Sequence, residues 1–270
     1  YEPREDSTLL ELYVRRYAKG SVLDVGTGSG IQAITAAHNS SVDSVIAVDI
    51  QKSAIGYCKK CIKNRKIVFL VSDLFSAFKK SQKFKDKKFD TIIFNPPYLP
   101  GELKVKDLTI EGGKKGYEVI ERFLNEVNDF LIDDGVILTV FSSLTRKEKV
   151  DEFINNNLLE FELLEKQHHF FEDLYVYLIK KSIILKKLEK NGVKNIKYFS
   201  KGKRGLLYIG NFKNKKVAIK IKNPKSEAVA RIENEINFLK LLNKKWIGPK
   251  LLFFDKDFFV YEFVEGNFIL

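Results

Sequence analysis

Val22-Leu23-Asp24-Val25-Gly26-Thr27-Gly28-Ser29-Gly30 is an apolar, β-branched run that meets three glycines, and a helical pattern follows over Ile31–Ala37. Glycines at a strand-to-helix turn let a ligand approach the backbone closely. The dinucleotide fingerprint G-x-G-x-x-G would place Gly or Ala at position 31, where this chain has Ile31. The pattern is instead an acid, Asp24, followed by G-x-G-x-G. A carboxylate at that place would repel a pyrophosphate and suits a ligand carrying a positive amino group.

Working outward, Val45–Asp49, Ile67–Val71, Phe89–Phe94 and Gly135–Phe141 are further short apolar runs. Helical patterns at Ser53–Asn64 and Tyr117–Leu131 alternate with them. Such alternation predicts an α/β fold, a parallel sheet covered on both faces. Phe161–His169 and Asp173–Ile179 read as a closing antiparallel hairpin. The Lys-dense stretch from Lys79 to Lys88 reads as a solvated loop.

The strand tips carry the chemistry. Asp49 ends the second strand, where an acid can accept both hydroxyls of a ribose. Asp73 follows the third and can accept from an adenine amino group. Three acids in this order beside Gly26, Thr27, Gly28 and Gly30 imply S-adenosylmethionine as the ligand. Asn95-Pro96-Pro97-Tyr98 follows the fourth strand. Pro96 forces Asn95 into extended backbone and removes a donor. The stiff turn presents the Asn95 amide and the Pro96 carbonyl, which together would grip both hydrogens of a planar NH2 group. The lone pair of such a nitrogen is delocalised, so positioning it in line with a methyl sulfonium is the main gain. Tyr98 can cover the planar target.

These residues resemble a class I methyltransferase of the amino-methylating group. Tyr1-Glu2-Pro3-Arg4-Glu5-Asp6-Ser7 resembles the Y-E-P-x-E-D-S/T segment of HemK-related protein glutamine methyltransferases, in their archaeal and eukaryotic branch. Glu111-Gly112-Gly113-Lys114-Lys115-Gly116 resembles that family's G-G-x-x-G loop. The resemblance spans residues 1–181. It implies a Rossmann-like domain with a mostly parallel seven-stranded sheet and an antiparallel closing strand. It also implies N5-methylation of a glutamine in a translation release factor, Ser7 near the carboxylate end of the cofactor, and a small zinc-binding activator subunit as a possible partner. Adenine N6 and guanine N2 are planar amino groups too, so a nucleic-acid substrate stays open.

The 270 residues carry a net charge of +12, but unevenly. Residues 1–185 hold 27 basic and 27 acidic side chains, whereas 186–270 hold 20 and 8. The excess belongs to the last third and says nothing for a nucleic-acid substrate of the first part. No apolar run approaches the ~18 residues of a membrane span, and two Cys exclude a disulfide framework. The expectation is a cytoplasmic chain with no membrane and no metal. Cys58 and Cys61 lack a second ligand pair and read as a helix face. Met is absent even at position 1, so the chain reads as processed, trimmed or a fragment.

From Asn195 the pattern changes to hairpins, with strands at Gly205–Ile209, Lys216–Lys220, Leu251–Phe254 and Phe258–Phe263. A helix is expected over Glu227–Leu242. Val217-Ala218-Ile219-Lys220, with Glu235 in the helix, resembles the N-terminal lobe of a protein kinase over residues 182–270. Lys220 and Glu235 are thus a candidate vestigial nucleotide site in a small α+β module. No H-R-D or D-F-G follows, so phosphoryl transfer is not expected. Two readings of the module remain: an orphaned lobe, or a basic adaptor that recruits nucleic acid or protein.

Overall fold

The computed structural model describes residues 4–84, 86–99, 112–169, 171–202, 205–223 and 231–265. The chain divides into two compact units, Tyr1–Lys181 and Ser182–Leu270.

The first unit runs α1 (Glu5–Tyr17), β1 (Gly20–Val25), α2 (Ile31–His38), β2 (Val42–Asp49), α3 (Lys52–Cys61), β3 (Ile67–Val71), α4 (Ser76–Lys80), β4 (Phe89–Phe94), α5 (Glu118–Glu126), β5 (Leu131–Ser142), α6 (Lys147–Asn156), β6 (Leu159–His169) and β7 (Glu172–Lys181). Its seven strands are ordered β3-β2-β1-β4-β5-β7-β6. The first five pair in parallel. β7 is antiparallel to both of its neighbours. The antiparallel strand therefore lies one in from the edge, and β6 is the edge itself.

Successive strand residues point to opposite faces, and both faces are buried. Ile93 of β4 joins a core with Leu10 and Val14 of α1, Ala33 and Ala36 of α2, and Ile55 and Cys58 of α3. Phe94 points the other way, its ring centroid 4.3 Å from Phe123 of α5. Phe75 stacks there on Phe130 at 4.4 Å.

Several elements depart from the sequence expectation. α1 and α6 lie outside the helices expected from the sequence, and α1 packs on α2 and β5. The α5 helix stops at Glu126 and a 3-10 turn follows, because Leu131 already belongs to β5. Part of the Lys-dense stretch is helical: α4 reaches Lys80 because Phe78 is buried against Phe89.

The second unit comprises α7 (Ile183–Lys190), β8 (Val193–Lys201), β9 (Gly205–Phe212), β10 (Lys215–Lys222), α8 (Arg231–Asn243), β11 (Leu251–Phe254) and β12 (Phe258–Glu262). Its sheet is antiparallel, in the order β11-β12-β10-β9-β8. Lys213 and Asn214 both have positive φ, the requirement of the tight hairpin turn that joins β9 to β10. Ile232 and Ile236 of α8 pack on Phe259 of β12. Glu227 and Val229 of the expected helix lie outside the described residues. Among the described residues, no helix is long and apolar enough to cross a membrane.

Gly30 opens α2 at φ 87°. A Cβ there would come within 2.5 Å of Ile62 Cδ1 and 3.3 Å of Cys58 Sγ. Gly30→Ala should therefore cost about 2 kcal/mol, from the left-handed backbone and the overpacking of α2 against α3. Denaturant titration of the full chain checks this, and unchanged stability would refute the packing role.

Candidate active site

The carboxyl ends of β1, β2, β3 and β4 open into one cleft of about 630 Å³. Its wall includes Gly26, Thr27 and Gly28 after β1, Asp49 at the end of β2, Asp73 after β3, and Asn95, Pro96, Pro97 and Tyr98 after β4. Ser7 of α1 completes it. Residues spread over some ninety positions thus meet at one edge of the sheet.

The glycine loop is fastened to the next strand. Thr27 N donates to Val48 O at 2.9 Å. Gly28 N donates to Asp49 Oδ2 at 2.9 Å, and Gln51 N donates to Asp49 Oδ1 at 2.8 Å. Each carboxylate oxygen keeps a second lone pair, so Asp49 can brace the loop and still accept from a ribose. Cys58 Sγ donates to Gly28 O at 3.3 Å, which gives this cysteine a structural task. Asp73 Oδ2 accepts from Arg122 Nη2 of α5 at 2.8 Å, in a pair that is half exposed on both sides.

Two of the expected cofactor residues do not reach the cleft. Asp24 is 1% exposed and is absent from the wall. Its carboxylate turns into the loop and accepts from Thr27 Oγ1 at 2.6 Å. Asp24 therefore shapes the loop through Thr27. Gly30 is also absent from the wall, since it faces Ile62 and Cys58. Its place is in the joint between α2 and α3.

Other residues enter the site that no strand-tip pattern points to. Arg4, Asp6, Ser29, Gln32 and Arg122 line the cleft. Asn95 Nδ2 donates to Asp6 Oδ2 and to Ser7 Oγ, each at 3.1 Å. Asn95 Oδ1, Ser29 Oγ and Gln32 Oε1 are buried without a hydrogen-bond partner. Buried polar atoms in native proteins are nearly always satisfied. All three belong to residues of the cleft wall.

Gly112 N donates to Leu99 O at 2.9 Å, fastening the start of the glycine-rich loop to the Asn-Pro-Pro-Tyr turn. A Cβ on Gly112 would fall 2.6 Å from Pro97 O, so only glycine permits this approach. Glu111 lies outside the described residues. Among the described residues, no group of three or more His, Cys, Asp or Glu could hold a metal ion.

A mostly parallel seven-stranded sheet, a glycine loop braced by a strand-tip acid and an Asn-Pro-Pro-Tyr turn define an S-adenosylmethionine-dependent methyltransferase of the Rossmann-like class I fold. The cleft fits that cofactor: Gly26 and Gly28 permit close approach, Asp49 and Asp73 supply acceptors, and Ile50 and Leu74 supply apolar walls. Residues 6–171 match the methyltransferase small domain, and the chain belongs to that family. A Methanocaldococcus jannaschii protein, provisionally named a protein N5-glutamine methyltransferase, is 36% identical over 160 residues, covering 56% of this chain and 77% of that one. The release factor glutamine methyltransferase of Rhodopirellula baltica is 34% identical over 138 residues, 46% of this chain and 45% of its own. The ribosomal protein uL3 glutamine methyltransferase of Burkholderia pseudomallei is 32% identical over 133 residues, 44% and 43% respectively. The chain thus spans less than half the length of these two bacterial relatives. Among solved structures, the E. cuniculi Mtq2–Trm112 complex, described as responsible for methylation of the eRF1 translation termination factor, aligns with a TM-score of 0.52 and 26% identity. That alignment covers 67% of this chain and 98% of the other.

Burial raises the Asp24 carboxyl from 3.8 to about 7, against the lowering effect of the Thr27 hydrogen bond; the nearby Asp49 charge adds to the rise. The folded state therefore holds a proton that the unfolded state has released. Asp24's contribution to stability is fully present below about pH 4 and is lost as pH rises through about 7. Asp24→Asn should remove that decline. Thermal unfolding of both proteins across pH 4–8 would read it, and parallel curves would contradict the buried-acid assignment.

Proposed function

We propose that the chain transfers a methyl group from S-adenosylmethionine to the side-chain nitrogen of a glutamine in a translation release factor. The observation that carries this reading is Asn95 Oδ1, a buried acceptor with no partner on the cleft wall. An acceptor at that place suits a group that brings N–H bonds, as a primary amide does. The names of the relatives support glutamine, while the proteins they modify differ between release factor and ribosomal protein uL3. Coverage of 98% of the Mtq2 chain supports the release factor, and the same likeness supports a small activator subunit as partner. On this reading the chain works where translation does, in the cytoplasm.

The bound cofactor supplies an electrophilic methyl group on a sulfonium. The chain's task is to orient the nitrogen. Asn95 Oδ1 accepts one N–H of the amide, and the Pro96 carbonyl accepts the other. With both held, the amide plane is fixed and its lone pair can be presented in line. Tyr98 covers the plane of the target. The product nitrogen loses its extra proton to water, so no histidine base is required.

Asn95→Ala should lower methyl transfer by about 100- to 1,000-fold, the effect of losing one preorganised hydrogen-bond partner. Cofactor binding should persist. Calorimetry with S-adenosylhomocysteine and a labelled-methyl assay separate the two, and equal loss of both would contradict the assigned role. The acceptor itself is tested by offering a release factor, uL3 and a nucleic-acid pool with labelled cofactor, with and without the activator. Label in the nucleic acid alone would overturn the glutamine reading.

A second reading concerns the second unit. Lys220 Nζ of β10 is bonded to Glu235 of α8. That strand-to-helix ion pair favours a kinase-like lobe with a vestigial nucleotide site. Lys220→Met should then abolish nucleotide binding while leaving methyl transfer intact. Retained binding in a folded variant would favour a basic adaptor instead.

A further inference from the structure

Resting on the glutamine reading above, we infer that Asp6 is a positioning residue that makes Asn95 a pure hydrogen-bond acceptor toward the target. An amide nitrogen has two hydrogens, and Asn95 Nδ2 gives one to Asp6 Oδ2 and one to Ser7 Oγ, both at 3.1 Å. Nothing on that nitrogen is left for a substrate. An ionised carboxylate only accepts. Turning the Asn95 amide by half a turn would set Oδ1 against Asp6 Oδ2, replacing a charge-assisted bond with repulsion between two acceptors. Ser7 offers no escape, because it already serves the same carboxylate. Its backbone N donates to Asp6 Oδ1 at 2.7 Å, and its hydroxyl lies 3.3 Å from that atom.

Burial makes this arrangement decisive. Asp6 is 5% exposed and Ser7 1%, so water is poorly placed to replace a lost partner. The same low-dielectric surroundings strengthen the bonds that are made. Asn95 Oδ1 is then the one polar atom of that amide left without a partner. α1 brings Asp6 and Ser7 to this place, because Leu10 and Val14 of the same helix are buried in the core.

The consequence is specificity. A glutamine side chain can satisfy Asn95 Oδ1 with an N–H. A glutamate side chain presents only oxygens and meets repulsion. Asp6 therefore sets which of two nearly isosteric side chains the cleft accepts, although it need not touch either.

Asp6→Asn tests this in the full chain. The new amide can donate to Asn95 Oδ1 and so turn Asn95, leaving its NH2 toward the cleft. The kcat for a glutamine-containing release-factor peptide should fall about 100-fold, as expected for a misplaced reacting group. With S-adenosylhomocysteine bound, the variant should prefer the glutamate version of the peptide, reversing the wild-type preference. A merely structural role would weaken both peptides alike. Exchange of the two Asn95 side-chain NH2 protons, followed by NMR without any peptide, should be slow in the wild type and fast in the variant. A folded Asp6→Asn protein with wild-type preference and slow exchange overturns the proposal. Should that variant not fold, Ser7→Ala decides: one Asn95 proton should exchange faster while the other stays slow, and two unchanged rates overturn it. Slow exchange in a wild-type protein that methylates no glutamine would sink the glutamine reading and leave the positioning role standing.

Discussion

The parallel register of four strands is the constraint from which the site follows. Val25 of β1 pairs with Val48 of β2 and Phe94 of β4, and Asp49 pairs with Val71 of β3. One residue further on, Gly26 and Asn95 are delivered to the level of Asp49 and Val71, and Ser72 follows directly. Parallel strands cannot be joined by tight turns, so a crossover must follow each one. The loops that begin those crossovers therefore collect at one edge. A shift of one residue in any pairing would turn inward-facing side chains to the wrong face. For β4 it would exchange Ile93 and Phe94 between two cores that are already filled. Packing on both faces fixes the register, and the register places the chemistry.

The same reasoning explains what could be read from the residues alone. The first four strands of the sheet are short runs of Val, Ile, Leu and Phe ending in Gly, Asp or Asn. The tips are legible because each follows directly on its strand, and Asp49, Asp73 and Asn95 do line the cleft. Asp24 belongs one residue inside β1 rather than beyond it. That small offset buries its carboxylate and hands it to Thr27. Strand alternation offered a signal for this, since Val25 stands between Asp24 and Gly26 and separates the acid from the turn. Gly30 likewise belongs to the helix joint, and its neighbour Ile62 is too distant in sequence to be inferred from a glycine pattern.

The contribution of α1 was legible only as a motif. Its apolar positions Leu10, Val14 and Tyr17 have helical spacing, but nothing local tells where a helix will dock. The bond from Asn95 to Asp6 joins residues 89 positions apart. Such pairs are set by tertiary packing, which is also why Ser29 and Gln32 escape a strand-tip reading. They sit around the start of α2, on the wall of the cleft. In the second unit β9 to β12 and the Lys220–Glu235 pair follow the sequence pattern, because antiparallel strands joined by short turns are local structure, whereas α7 and β8 lie outside the elements expected from it.

Charge separates the two units by a different logic. The excess of Lys over acid lies beyond Leu185, while the cleft is built in the first unit and uses its charged groups sparingly. Asp49 is tied to two backbone N–H groups, and Asp6 is held by Ser7 and Asn95. In such buried surroundings a fixed carboxylate acts strongly on the few groups oriented toward it. On the proposed function, methyl transfer to a neutral amide leaves little scope for attraction of the acceptor by net charge. It demands instead that a weakly nucleophilic nitrogen be held in one orientation, and hydrogen-bond acceptors of fixed direction provide that. The electrically balanced composition of the first 185 residues is consistent with a site that works through orientation.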